Sequence, residues 1–259
     1  METLTITNKR LEEISLNGWP ALQTVLYDGW LLRFADGYTK RSNSVSAIYG
    51  SEQTELELDE KIRTCERLYA QKGIRTVFKI TPFVQPARLD EQLERLGYAK
   101  VDHTLVKTAA LSDVAGHTYE DISIAEELTD EWLDAIAGLQ KLTQEQREST
   151  RKMMAGQPLR KGFAIVSEGG RPVACGIVIV EDGWAGLYDI VTAPEARGRG
   201  YGEQLTRGLF HFAKGLGARM GYLLVVRDNE PANRLYDKLG FEPVYDYWYR
   251  VSANSAIRT

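Results

Sequence analysis

An α/β fold with a mixed sheet is predicted by three features of this sequence. Short apolar runs alternate with segments whose apolar residues recur every three or four positions, the periods of strands and helices. The stretch from Leu187 to Gly217 reads as strand, glycine-rich turn and helix. The glycine pairs Gly73/Gly97 and Gly217/Gly240 punctuate two similar helix–strand–helix patterns at nearly equal spacing, which marks a degenerate internal repeat. Two domains are therefore expected, residues 1–115 and 116–259.

In chain order, residues 1–27 read as a helical lead-in through Leu11, Ile14, Leu22, Val25 and Leu26, interrupted by Asn17-Gly18 and Pro20. Trp30 to Phe34 and Val45 to Tyr49 read as strands of a hairpin turning at Asp36-Gly37. The polar cluster from Lys40 to Ser44 either lines a cleft or forms a solvated strand end, the latter favoured. Leu58, Ile62, Cys65, Leu68 and Tyr69 mark a helix ending at Lys72-Gly73, followed by a strand from Thr76 to Ile80. A second helix, Pro86 to Leu96, closes on Gly97-Tyr98, and a strand from Val101 to Val106 ends the first half. The small residues between 108 and 120 read as a linker.

Beyond it, Ile122 to Ala125 is a short strand and Thr129 to Leu139 a helix. Thr143 and Gln146 form a capping box that opens a second helix, reaching to about Ala155. Strands follow at Phe163 to Ser167, Val173 to Val180 and Trp184 to Val191, joined by turns at Gly169-Gly170 and Asp182-Gly183. Leu205, Leu209, Phe212 and Leu216 share one face of the next helix, which Gly217 terminates. Tyr222 to Val226 is a strand, Pro231 to Leu239 a helix, and the chain ends in strand. The aromatic run from Tyr245 to Tyr249 suits strand packing before an acceptor pocket.

Composition excludes several classes. With 43% hydrophobic and 26% charged residues the 259-residue chain has a globular balance, and its net charge of -4 without a basic block argues against nucleic acid as partner. No apolar run reaches the ~18–20 residues of a membrane span, and the polar start is unlike a signal peptide, so a cytoplasmic protein without membrane association is expected. Cys65 and Cys175 stand apart among apolar neighbours, as reduced core thiols do. His103, His117 and His211 lack metal-ligand spacing, so no metal is assigned.

The stretch Tyr188-Asp189-Ile190-Val191-Thr192-Ala193-Pro194-Glu195-Ala196-Arg197-Gly198-Arg199-Gly200-Tyr201-Gly202 carries the chemistry. A glycine loop that opens a helix leaves backbone N–H groups pointing outward at the positive end of the helix dipole, which makes an anion site. Gly198, Gly200 and Gly202 admit a phosphate close to the backbone, and Arg197 and Arg199 add positive charge. The Walker pattern is absent, and the glycine spacing differs from the dinucleotide fingerprint. The corresponding stretch of the first half, Gly50 to Glu57, carries three glutamates and no such loop.

The pattern Arg197-x-x-Gly200-Tyr201-Gly202 resembles the loop of the GNAT superfamily of acyl-CoA N-acyltransferases. Asn229-Glu230-Pro231-Ala232-Asn233-Arg234-Leu235-Tyr236, continuing to Gly240-Phe241, resembles that family's Asn-x-x-Ala-x-x-Leu-Tyr helix. The resemblance covers about residues 120–252. It implies a GNAT fold in the C-terminal half, with the N-terminal half a degenerate GNAT-like copy, as in tandem GNAT proteins. It implies acetyl-CoA as cosubstrate, one per chain, held by Arg197 to Gly202, by the strand backbone at Ile190, Val191 and Thr192, and by Asn229.

The same resemblance gives Tyr236 the role of general acid toward the departing thiolate. Asp189 is either a base, acting directly or through water, or a strand-face acid that orients substrate; alternation puts it on one face with Leu187 and Val191. The expected reaction is transfer of acetyl to a primary amine, on a small molecule or peptide, by direct attack in a ternary complex. A non-catalytic CoA-binding sensor or scaffold is the alternative. An Arg-Gly RNA-binding segment is disfavoured, because the repeat is short and sits between strand and helix.

Overall fold

A computed structural model describes residues 6–112, 114 and 121–253. The chain forms two compact units, each made of two segments: a larger one from Met1–Trp19 and Val106–Val244, and a smaller one from Pro20–Leu105 and Tyr245–Thr259. The expected boundary at residue 115 lies outside the described residues.

Helix α1 (Asn8–Gly18) is capped by Thr7, whose side chain accepts from the backbone N–H of Arg10, and it belongs to the larger unit. The chain then enters the smaller unit. Here β1 (Gln23–Tyr27) and β2 (Trp30–Phe34) pair in register from Tyr27↔Trp30 to Gln23↔Phe34. Leu22 to Leu26 therefore do not continue the helix: Asp28 and Gly29, at φ 43° and 80°, supply a tight turn, and ladder pairing overrides the helical spacing. Lys40–Ser42 form a 3-10 turn rather than a solvated strand end. Behind it Asn43 is buried, its side-chain oxygen accepting from the N–H groups of Ala35 and Gly37.

The smaller unit continues with β3 (Val45–Ser46), α2 (Glu55–Gln71), β4 (Val77–Ile80), α3 (Leu89–Arg95) and the start of β5 (Ala99–Ala110). Strand β5 runs through Ala109 and Ala110, residues read from sequence as linker; Ala109 and Leu111 are buried, so small size there reflects packing. The core of this unit gathers Trp30, Leu32 and Phe34 with Phe78 and Ile80 of the sheet, beneath Ile62, Cys65 and Tyr69 of α2 and Leu89 and Leu93 of α3. The two helices are also linked by polar bonds. Gln92 donates to Asp59, Arg95 pairs with Glu55 at 3.4 Å, and the Tyr98 hydroxyl donates to Glu66 at 2.7 Å.

The larger unit then adds β6 (Ile122–Ala125), α4 (Asp130–Gln140), α5 (Gln144–Ala155), β7 (Arg160–Glu168), β8 (Arg171–Glu181), β9 (Trp184–Thr192), α6 (Tyr201–Gly215), β10 (Met220–Val226) and α7 (Glu230–Lys238). The expected capping box of Thr143 and Gln146 is present. Its strands lie in the order β10-β9-β8-β7-β6, with β9 and β10 parallel and the other pairs antiparallel. Helix α6 covers one face, where Gly162 and Gly176 leave room for Phe212 and for Ile190 with Leu205. On the opposite face Tyr188 stacks on Trp19 with ring centroids 5.6 Å apart, and its hydroxyl donates to the Ser15 carbonyl of α1 at 3.2 Å. The last strand, β11 (Glu242–Val251), pairs with β4 from Trp248↔Ile80 to Val251↔Val77; Tyr245, Tyr247 and Tyr249 are buried, so the aromatic run is packing.

Cys65 and Cys175 are both buried free thiols. Burial raises both, Cys65 to about 12, so each stays in the thiol form at neutral pH. Among the described residues no helix is long and apolar enough to cross a membrane, and no group of three or more His, Cys, Asp or Glu is gathered as a metal site.

Candidate active site

The site begins with an irregularity in β9. Tyr188 stands opposite Ile177 and Val191 opposite Cys175, so Asp189 and Ile190 together face the single residue Gly176. This is a β-bulge, and Asp189 adopts a left-handed φ of 49° within it. The extra residue breaks the alternation expected from sequence. Leu187, opposite Val178, shares the α6 face with Ile190, whereas Val191, opposite Cys175, lies on the other face. Leu187 and Val191 therefore do not share a face. The parallel register of β9 with β10 runs from Trp184↔Met220 to Leu187↔Leu223 and stops one residue before Tyr188, where the bulge region begins.

Where the register stops, a cleft of about 600 Å³ opens. Its walls are Ile190, Val191 and Thr192 of β9; Ala196, Arg197, Gly198 and Gly200 of the loop; Tyr201, Gly202 and Glu203 of the first turn of α6; and Asn229, Pro231, Ala232, Arg234, Leu235 and Tyr236 at the start of α7. Gly200, at φ 89°, caps α6 without a side-chain bond, and the first intrahelical bond runs from Gln204 N–H to the Gly200 carbonyl at 3.0 Å. The amides of Tyr201, Gly202 and Glu203 thus precede the helical ladder at the positive end of a 15-residue helix.

The glycines shape this cradle. Gly198 and Gly200 hold φ 76° and 89°, with nothing within 4 Å of where a Cβ would stand. A Cβ on Gly202 would sit 3.4 Å from the Thr192 hydroxyl oxygen and 3.5 Å from a Leu235 methyl, in the gap between β9 and α7. Arg197, Arg234 and Glu203 are the charged residues of the wall, and Arg234 donates to Glu230 at 3.0 Å. The Glu203 carboxylate accepts from Lys238 at 2.6 Å and from Arg207 at 3.0 Å, bonds that hold it below the usual range for glutamate.

Tyr236, also in the wall, is 7% exposed and packs edge-on to Phe241 with ring centroids 6.1 Å apart. Burial pushes its phenol up to about 12, so it carries its proton throughout the neutral range. The side-chain oxygen of Asn229 accepts from the Ala232 N–H at 3.3 Å and caps α7, while still lining the cleft. Asn233 donates to the carbonyls of Val226, Arg227 and Asn229, pinning the β10–α7 turn.

Ten of the residues singled out from sequence meet in this cleft: Ile190, Val191, Thr192, Arg197, Gly198, Gly200, Tyr201, Gly202, Asn229 and Tyr236. Two do not line it. Asp189 is half-buried in the bulge, and the Arg199 side chain turns away to Glu168. Sequence reading passed over Glu203, one residue beyond the stretch ending at Gly202, and Arg234, which lies inside the helix motif.

The family described as "Probable histone acetyltransferase Rv0428c C-terminal" matches residues 5–250. The chain belongs to the GNAT family of N-acetyltransferases. It is 30% identical over 247 residues to "Uncharacterized N-acetyltransferase YobR" of Bacillus subtilis, covering 94% of this chain and 98% of that protein. Among solved structures, a GCN5-related N-acetyltransferase from Kribbella flavida superposes with a TM-score of 0.72 at 17% identity over 96% of both chains. A tandem GNAT protein from the clavulanic acid biosynthesis pathway superposes at 0.53 with 17% identity, over 73% of this chain and 70% of that one. These two structural likenesses concern the fold. The α/β architecture with its mixed sheet is that of the GNAT family, and the cleft lies where the loop from Arg197 to Gly202 meets the start of α7.

Proposed function

We propose that this GNAT N-acetyltransferase transfers an acetyl group from acetyl-CoA to a primary amine of a small molecule or peptide, by direct attack in a ternary complex. The observation that carries the reading is a single cleft lined both by a glycine-capped helix N-terminus and by a buried, protonated tyrosine. The cradle suits a diphosphate, because the space beside Gly198 and Gly200 is open and the amides of Tyr201 to Glu203 belong to a helix start that no side chain caps. Bound there, acetyl-CoA would supply the reactive thioester.

The chain's own residues divide the remaining work. Arg197, with the loop amides, binds the diphosphate. The backbone of Ile190 to Thr192, released from pairing with β10, holds the pantetheine arm, and Asn229 orients it. An N–H near Val191 donates to the thioester oxygen as negative charge develops there. Tyr236 donates to the sulfur as it leaves. The amine, with a pKa of ~10.4 if lysine-like, must lose a proton before attack, and Asp189, which does not line the cleft itself, either takes that proton through water or orients the substrate. In this reading residues 1–115 are a degenerate GNAT-like copy that binds no CoA, and the protein acts in the cytoplasm.

The test is release of free CoA from acetyl-CoA against a panel of amines. Turnover with at least one primary amine supports the reading. Tight CoA binding with no turnover across the panel would instead make the protein a CoA sensor.

A further inference from the structure

Arg199 stands between the two left-handed glycines of the loop, yet its side chain leaves the cleft. One guanidinium nitrogen donates to Glu168 Oε2 at 2.9 Å, the other donates to Oε1, and the Tyr201 hydroxyl donates to the same Oε1 at 2.6 Å. The guanidinium carbon also lies 5.2 Å from the Tyr201 ring centroid. Glu168 ends β7, immediately before the Gly169-Gly170 turn, and is remote from the loop in sequence. One carboxylate therefore takes donors from the residues on both sides of Gly200.

The loop needs such an anchor. Gly198 and Gly200 have no side chains, and nothing packs where a Cβ would stand, so their left-handed conformation is not enforced locally. Glycine also loses the most backbone freedom on ordering, a loss that cofactor binding would otherwise have to offset.

We infer that Glu168 is a positioning residue that holds the phosphate loop in its receiving conformation, and that Arg199 is a brace to Glu168 and not a phosphate ligand. Arg197, which lines the cleft, supplies the guanidinium that meets the diphosphate. This rests on the proposed binding of CoA.

The experiment is calorimetric titration of CoA into wild type, Glu168→Gln, Arg199→Gln, the double variant and Arg197→Gln at several salt concentrations, with steady-state kinetics on each. If the brace is right, Glu168→Gln and Arg199→Gln each weaken CoA about two- to fivefold, and the double variant is no worse than either alone. KM for acetyl-CoA rises by the same factor while kcat at saturation holds. Arg199→Gln leaves the salt dependence of CoA affinity as in wild type, and Arg197→Gln makes it shallower. Both brace residues are exposed, and equal thermal midpoints establish that the variants are folded.

The inference is overturned if Glu168→Gln tightens CoA, the result expected when a freed Arg199 can reach phosphate. It is also overturned if either single variant binds like wild type, or if the two losses add. Wild type that binds no CoA overturns this inference and the proposed function together, whereas normal wild-type binding with unaffected variants overturns the brace alone.

Discussion

Replacing Tyr236 with phenylalanine removes one oxygen from a ring that is 7% exposed and packed edge-on to Phe241. The ring and its contacts survive, so folding and CoA affinity should hold. The size of the kinetic effect follows from acidity. A phenol pushed up to about 12 by burial faces a thiolate whose conjugate acid has a pKa of ~8.5, so complete proton transfer would be uphill by about 5 kcal/mol at ~1.36 kcal/mol per pKa unit. Tyr236 is therefore expected to donate a hydrogen bond to sulfur in the transition state without full transfer. General acid catalysis is typically worth ~10²- to 10⁴-fold, and this mismatch sets the expectation for Tyr236→Phe at about 10²-fold in kcat with little change in KM. The raised pKa also has a sign. The proton stays on as pH rises, so an alkaline fall in wild-type kcat that belongs to Tyr236 should begin only above the ordinary tyrosine range of ~10. The assay is steady-state release of free CoA across pH, with one acceptor and saturating acetyl-CoA. Unchanged turnover in Tyr236→Phe would make the tyrosine a packing residue and refute this reasoning.

Further expectations concern the cradle and its support. Calorimetry should give one CoA site per chain, and two sites would contradict confinement of the phosphate site to the Arg197–Gly202 loop. Gly200→Val forces a β-branched residue to φ 89°, a conformation that disfavours L-residues by about 1–2 kcal/mol, and should weaken CoA about tenfold in a variant that still folds. In Gly202→Val the added methyl groups would project into the gap between Thr192 and Leu235, and wild-type affinity there would show that the diphosphate does not use that gap. Gly18→Ala places a Cβ 2.2 Å from the buried Tyr188 hydroxyl oxygen and should lower stability by about 1–3 kcal/mol in chemical denaturation; an unchanged midpoint would show that α1 shifts at little cost.

Most of the larger unit could be read from residues alone, because its signals are local. Thr143 and Gln146 announce a helix start, Gly169-Gly170 and Asp182-Gly183 announce hairpins, and the order of elements from Ile122 onward follows. Ten of the twelve residues picked from sequence share the cleft for the same reason, since loop and helix start are contiguous stretches. The misreadings were non-local. Leu22 to Leu26 have helical spacing, but their pairing with β2 decides their state. The bulge at Asp189 exists because two residues of β9 oppose Gly176 of β8, which no pattern within β9 reveals. The pairing of Arg199 with Glu168 is likewise invisible in the sequence, since only the fold brings the two together.

Two stretches of the chain, β1 to β5 and β7 to β11, share an order of elements, three strands, helix, strand, helix, strand, and differ where the helix after the third strand begins. In the larger unit that helix opens on a glycine with its first amides unclaimed by side chains. In the smaller unit Thr54 and Glu57 close a capping box on α2: the Thr54 N–H donates to Glu57 at 2.7 Å, and the Glu57 N–H donates to the Thr54 hydroxyl at 3.3 Å. A shallow cavity of about 400 Å³ does lie beside this helix start, but its wall carries Asp28, Glu52, Glu57 and Glu60 against Lys61, whose ammonium is already paired with Asp28. An anion arriving there would meet an occupied amide and a surplus of carboxylates, and both oppose it. Removing the glutamates would leave only the Thr54 hydroxyl on the Glu57-position amide, and removing Thr54 alone would leave the charge. The capping box and the acidic wall, which share Glu57, both oppose an anion at this helix start, so one acyl donor per chain is the outcome expected from these residues.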